Sequence, residues 1–443
     1  MYMFLITIAL FFRSYVHSEK TEECHNVAKM PMSSRGFAKA CCTVYPHIFG
    51  KHTGGIFEAG SRTDPHYFYN TKIISGDVVY VAAADLPDFI NYHFINLPSH
   101  SRIVLVSGSE DIGTPFELFH PNRSYGDYTM QALWPRGQML TMHDFISDER
   151  LASWFVQNYD LVGCNHFSCS DVDPAKRMLF DKVQPLPIGL DFHTLSEKVR
   201  GVPYTAVSQL VCAQRRDLQS IKDSGFIMFK DRPLLVNFEF DCVFDTLKDR
   251  EPRMLVRGEL CKLLSDARES NILQELYVTP LNNAHRKLSK RSGKSLRGML
   301  LDSKSYLACK YAGNRECIKN MLVEYKKSFK RKQRLDFWKR VSLCSFGFAP
   351  AGLGMDTHRL WEILQMHAVP IVLSSPLDEL YSHYPIVIVK RWAEAFESGA
   401  LEKFKRAILD KFGEDPFNDE MMYRLTMEFW VQKIHATAHK IAL

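Results

Sequence analysis

Arg359 and Glu362 stand three residues apart at the start of a helical run, directly behind a glycine-punctuated loop, Pro350-Ala351-Gly352-Leu353-Gly354. That spacing could do chemistry on a phosphorylated ligand. Glycines let backbone N–H groups approach a ligand closely. A helix N-terminus attracts anions through its N–H groups and its dipole. The same dipole disfavours a cation in the first turn, so Arg359 makes sense there if it meets a phosphate. Glu362, one turn on, shares its face and could accept hydrogen bonds from ribose hydroxyls. An ordinary surface ion pair, worth under ~1 kcal/mol, accounts for the spacing about as well.

The elements that must hold these residues can be read around them. Phe346, Phe348 and Ala349 make a short apolar strand before the loop, and Leu360, Ile363, Leu364 and His367 give the helix one apolar face. Val369 to Leu373 is a second strand, which completes a βαβ unit. From Asp77 onward, short apolar strands alternate with helical or loop segments: Val78 to Ala82, Ile103 to Val106, Tyr159 to Gly163 and Val183 to Leu190 read as strands. Ser147 to Phe155 reads as a helix. Such alternation argues a parallel sheet with crossover helices. A second α/β set begins with a strand over Pro233 to Phe238 and a helix over Arg253 to Ser265. It continues through a strand at Leu276 to Val278, a long basic helix over Ile318 to Val341, the motif, and a strand over Ile386 to Val389. The expected division is a signal segment over 1–18, an N-terminal α/β domain over 19–200, a linker over 201–225 and a C-terminal domain over 226–443. A ligand would lie beyond the carboxyl ends of the strands.

The composition agrees with two full cores: 443 residues, 46% hydrophobic and 12% aromatic. A net charge of +6 is too small to argue a nucleic-acid partner. Met1 to Phe12 is almost wholly apolar, too short to span a bilayer but suited to the core of a signal peptide, with Val16 and Ser18 placed for cleavage before Glu19. An uncleaved anchor is the rival, which leaves membrane attachment through this segment open. Eleven cysteines, among them Cys24, Cys41, Cys42, Cys309 and Cys317, fit an oxidising lumen, and their odd number leaves at least one thiol if all pairs are internal. Asn122-Arg123-Ser124 is a glycosylation sequon.

The run FAPAGLGMDTHRLWEILQMHAVPIVL resembles the C-terminal signature of the exostosin-like glycosyltransferases: a Pro-x-Gly loop, Thr/Ser-x-Arg-x-x-Glu, a small-residue turn and Pro-Ile-Val. Ser375 to Asp378, Ile388-Val389 before Trp392, and Gln184 to Thr194 add to the likeness. The resemblance implies a GT-B fold, two Rossmann-like domains facing an interdomain cleft. It also implies inverting transfer from a nucleotide sugar, expected to be a UDP-sugar, to a glycan or glycoprotein in the Golgi or endoplasmic reticulum lumen. On that likeness Gly352 and Gly354 would form the donor loop, Arg359 would face the diphosphate and Glu362 the ribose. Arg253 and Arg257 would stand near the phosphates, although the glycines common there are largely missing. His367-Ala368-Val369 also departs from the family's glycine turn.

Inverting transfer needs a base for the acceptor hydroxyl and cationic or N–H support for the leaving diphosphate. Candidate bases after strands of the first domain are Glu110 and Asp111, then Asp191 and His193, with Asp85 behind them. No essential metal is expected, and Asp171-Val172-Asp173 reads as a solvated loop. Cys164 to Cys169, with His166, reads as a local disulfide or buried thiols rather than a zinc site. The basic run from Lys326 to Arg340 reads as a solvated helix face, with an anionic glycan as the minority partner. A catalytically inactive glycan-binding or scaffold protein on the same fold is the rival from another class.

Overall fold

The computed structural model describes residues 31–33, 36–37, 42, 72–108, 111–120, 124–125, 128–129, 134, 140–161, 181–192, 204–240, 252–269 and 331–442. Outside them lie the signal segment, the sequon's Asn122, the Asp171–Asp173 pair, Cys164 to Cys169, Cys309, Cys317 and the strand expected at Leu276 to Val278.

Two separate four-stranded sheets, both parallel throughout, make this an α/β protein. The first runs β1 (Val78–Ala82), β2 (Ile103–Gly108), β5 (Leu151–Val156) and β6 (Val183–Pro185), in that order. The second runs β10 (Val387–Val389), β9 (Val369–Leu373), β8 (Phe346–Phe348) and β7 (Val236–Asn237). A two-stranded hairpin, β3 (Ser124–Tyr125) and β4 (Tyr128–Thr129), stands apart.

One expected element changes type. Residues 147–155 are not a helix: a short helix, Met142–Ser147, ends before Asp148, and Leu151–Val156 is a strand of the first sheet. Its six residues are buried on both faces apart from Ala152, so no polar period marks it, and a short apolar run of this kind reads either way. The expected strand at Tyr159 contributes a single bridge, to Thr114. The stretch expected as linker is occupied by a helix, Tyr204–Asp223.

Alternation along the first sheet feeds two cores. Val79, Val81, Ile103, Leu105, Trp154 and Val156 pack with Leu86, Phe89, Phe94 and Phe145. Val78, Tyr80, Val104, Val106 and Phe155 face the other way, into a core continuous with the second sheet. The C-terminal helix Met427–Ala442 makes that continuity, because it returns to lie on β1, β2 and β5 and buries Trp430 and Ile434 there. The segment 31–33 laces the same seam: Met32 N–H donates to Leu425 O, and Met32 O accepts from Leu190 N–H. Gly189, at φ +66°, lies against this segment, where a Cβ would overlap Met32 O.

At the amino-terminal edge of the second sheet, buried Arg232 donates to Ile227 O, Cys344 O, Met366 O and His367 O. It thereby satisfies carbonyls at the end of the motif helix, where a cation suits the dipole. His367 takes the left-handed position after that helix, at φ 56°, with its ring between Phe226 and Phe417. Burial, helped by Lys222 and Arg232, pushes its imidazole down to about 3 and keeps it neutral.

Candidate functional site

The site is the seam where the carboxyl ends of the two sheets meet. The loop after β8 carries Gly352 and Gly354 and ends at Thr357, which caps the helix His358–Gln365 in extended geometry. Asn158, two residues past β5, and Ile188 and Gly189, just past β6, meet this loop. Asp356 N–H donates to Asn158 Oδ1 at 3.0 Å, and Ile188 N–H donates to Asp356 Oδ2 at 2.8 Å. His358 Nδ1 lies 2.7 Å from Gly189 O. The two glycines differ in what surrounds them. A Cβ on Gly352 would meet no described residue within 4 Å, whereas one on Gly354 would sit 2.6 Å from Asn158 Oδ1. Gly354 is therefore required for close approach between the halves. The hydroxyl of Thr357 is buried at the helix start without a hydrogen-bond partner among the described residues.

Arg359 and Glu362 do pair, with Nε 3.7 Å from Oε2, but the pair is internal rather than on the surface. Glu362 is 6% exposed, and its other oxygen lies 3.6 Å from Arg334 Nε. Arg359 stacks on the Phe337 ring at 3.7 Å. Arg334 and Phe337 come from the basic helix, described over 331–341. Arg334 reaches across to the first half, where Nη2 is 2.7 Å from Asp191 Oδ2 and Nη1 donates to Asp191 O and to Gln214 Oε1. The result is a row of alternating charge, Asp191–Arg334–Glu362–Arg359, shared by the two halves.

The neighbouring basic residues also turn inward. Arg331 makes two bonds to Asp217, at 2.6 and 2.8 Å, and Arg340 makes two to Glu239. The helix face read as solvated, or as open to a polyanion, holds internal ion pairs at Arg331, Arg334 and Arg340, while Lys332 and Lys339 remain exposed.

Of the other expected residues, Asp111 lies just past β2, three residues before Thr114, whose N–H donates to Asn158 O. It therefore lies at the carboxyl edge of the first sheet. Asp85 ends a short 3-10 helix after β1. Arg257 lies over the Phe240 ring at 5.3 Å, on the helix Pro252–Glu269 that follows β7. Arg253 belongs to the same helix, and its side chain is outside the described set, as are Glu110 and His193. Of the cysteines, Cys261 is disulfide-bonded and Cys344 is a buried thiol, which burial pushes up to about 11.

Two groups at the seam escaped sequence reasoning. One is Arg334, which looked like any member of its basic run. The other is Asp356, 2% exposed, which accepts from Thr357 N–H, Trp361 Nε1 and Tyr381 OH as well as Ile188 N–H. Burial pushes its carboxyl up to about 6 against the pull of those donors. The signal that could have found it is an acidic residue inside an apolar, glycine-rich loop.

No protein-family model matches the chain, and no curated protein matches it at a significant level. No helix among the described residues is long and apolar enough to cross a membrane.

Proposed function

We propose that the chain is an inverting glycosyltransferase with a GT-B arrangement, transferring a sugar from a nucleotide sugar, with UDP as the expected carrier, to a glycan or glycoprotein in the secretory pathway. One observation carries the reading. The carboxyl ends of two parallel sheets face each other across the loop Ala351–Thr357, and open α/β sheets take their ligands at that edge. The room at Gly352 among the described residues, the buried hydroxyl of Thr357 and the guanidinium of Arg359 at the helix start support an anion there. Asp111 and Asp191, with Asp85 behind them, remain the described candidates for the base.

Thermal shift with a panel of UDP-sugars tests the reading. A ligand at 100 times its Kd stabilises the folded state by about 2.7 kcal/mol. Arg359→Ala should remove most of that gain. No stabilisation by UDP or any UDP-sugar in the unaltered protein would sink the reading.

A second reading, an inactive glycan-binding or scaffold protein, is favoured by one feature: Arg334 holds the carboxylates of Asp191 and Glu362 at once. Donor binding with neither transfer nor donor hydrolysis would select it.

A further inference from the structure

Asp356 is buried in the loop assigned above to the donor, and its hydrogen bonds cross the seam in both directions. Its carboxylate accepts the main-chain N–H of Ile188, and its own N–H goes to the Asn158 side chain. Within its own half it accepts from Thr357 N–H, Trp361 Nε1 and Tyr381 OH. Of the four donors to the carboxylate, the two main-chain amides and the indole can only donate, so the position suits an acceptor with two oxygens. An amide in its place would turn an NH2 toward a donor. Packing supports the same contact, since Gly354 leaves no room for a side chain against Asn158. Asn158 itself is held at φ 53°, a conformation that costs a non-glycine residue and persists where surroundings enforce it.

We propose that Asp356 is a positioning residue that clasps the Ala351–Thr357 loop to the Asn158 and Ile188–Gly189 turns, so that loop geometry and the closed setting of the two halves depend on one carboxylate. The clasp itself stands on the geometry alone. Its bearing on a nucleotide rests on the function proposed above.

Two readouts keep the two ideas separate. Amide hydrogen exchange at Ile188 reads the clasp with no ligand present. Calorimetric titration with UDP reads its consequence for binding. Asp356→Asn leaves a donor without its acceptor and should raise exchange at Ile188 and weaken UDP, each by about tenfold, the worth of one bond to a charged acceptor. Asn158→Gly reaches the clasp from the other half, suits the positive φ, and should act in the same direction. His367→Ala is the control: it lies at the opposite edge of the second sheet, so it should lower stability while leaving both readouts within twofold. Unchanged Ile188 exchange in Asp356→Asn, or in Asn158→Gly should the first variant not fold, would overturn the clasp. So would a His367→Ala protein that loses Ile188 protection to the same degree. If UDP fails to bind the unaltered protein, the proposed function falls, and the exchange measurement still decides the clasp. If exchange rises as expected while UDP affinity stays the same, the clasp stands and its role in positioning the loop is refuted.

Discussion

Removing Arg334 tests the ion network more sharply than removing any other member, because it serves two carboxylates from different halves. Its Nε is 3.6 Å from Glu362, and Arg359 stands 3.7 Å from the same carboxylate, so the two distances are nearly equal. At an effective dielectric of about 20, either separation corresponds to about 4.5 kcal/mol of attraction, and at that of water to about 1.1 kcal/mol. Exposure decides between these limits. The Glu362 side chain is 7% exposed and that of Arg334 16%, whereas that of Arg359 is 29% exposed. Desolvation offsets part of the attraction. A double-mutant cycle in urea should then give a coupling of about 2 kcal/mol for Arg334–Glu362 and about 1 kcal/mol or less for Arg359–Glu362. Arg334→Ala alone should cost about 3–4 kcal/mol, since Asp191 and Glu362 both lose the guanidinium that bridges them. Lysine should recover little of this, because one ammonium cannot meet Asp191, Gln214 and Glu362 together. Equal couplings, or the reverse order, would refute the argument from burial.

Further outcomes follow from single positions. Gly354→Ala should lower stability by about 1–3 kcal/mol, because its Cβ must displace Asn158, while Gly352→Ala should change it by under about 0.5 kcal/mol in the same denaturation assay. His367→Gly should be more stable than His367→Ala by about 1 kcal/mol, since glycine takes φ 56° without strain and both lose the stacking on Phe226 and Phe417. His367 has a folded pKa of about 3, below its ordinary 6.5, so its contribution is present above pH 6.5 and is lost as pH falls toward 3. Denaturation midpoints followed from pH 7 to 4 should fall less steeply for His367→Gly than for the unaltered protein. Glu362→Gln separates two roles by UDP titration: a ribose contact predicts weaker binding, whereas a counter-ion between two arginines predicts unchanged or tighter binding.

The motif was legible because its signals are local. Pro350, Gly352 and Gly354 break the chain, and the apolar period changes on either side, which was enough to place β8, the helix and β9. β5 was misread because burial on both faces erases the period that separates strand from helix. The seam was not legible, for a different reason. Asp356 and Asn158 lie 198 residues apart in the chain, and Arg334 and Asp191 lie 143 apart. A carboxylate that neutralises a basic helix from such a distance leaves no trace in the helix's own pattern, so the inward arginines read as solvated. The Arg359–Glu362 ion pair, which the spacing offered as the plain alternative to a phosphate and ribose site, is present, yet the spacing could not say that a second arginine shares the glutamate.

That sharing limits what the seam can offer an anion. Asp191 and Glu362 balance Arg334 and Arg359, so the four groups carry no net charge as they stand. The helix start adds about half a positive charge and the N–H groups behind it. A nucleoside diphosphate brings more negative charge than that can meet, so Arg359 cannot be its whole counter-charge. Either Glu362 gives up its hold on Arg359 and stays with Arg334, or further cations come from the helix that bears Arg253 and Arg257. Both leave Arg334 and Asp191 in place, and only the first requires Glu362 to move. If UDP affinity were to survive Arg253→Ala and Arg257→Ala together, the glutamate would have to be the group that moves.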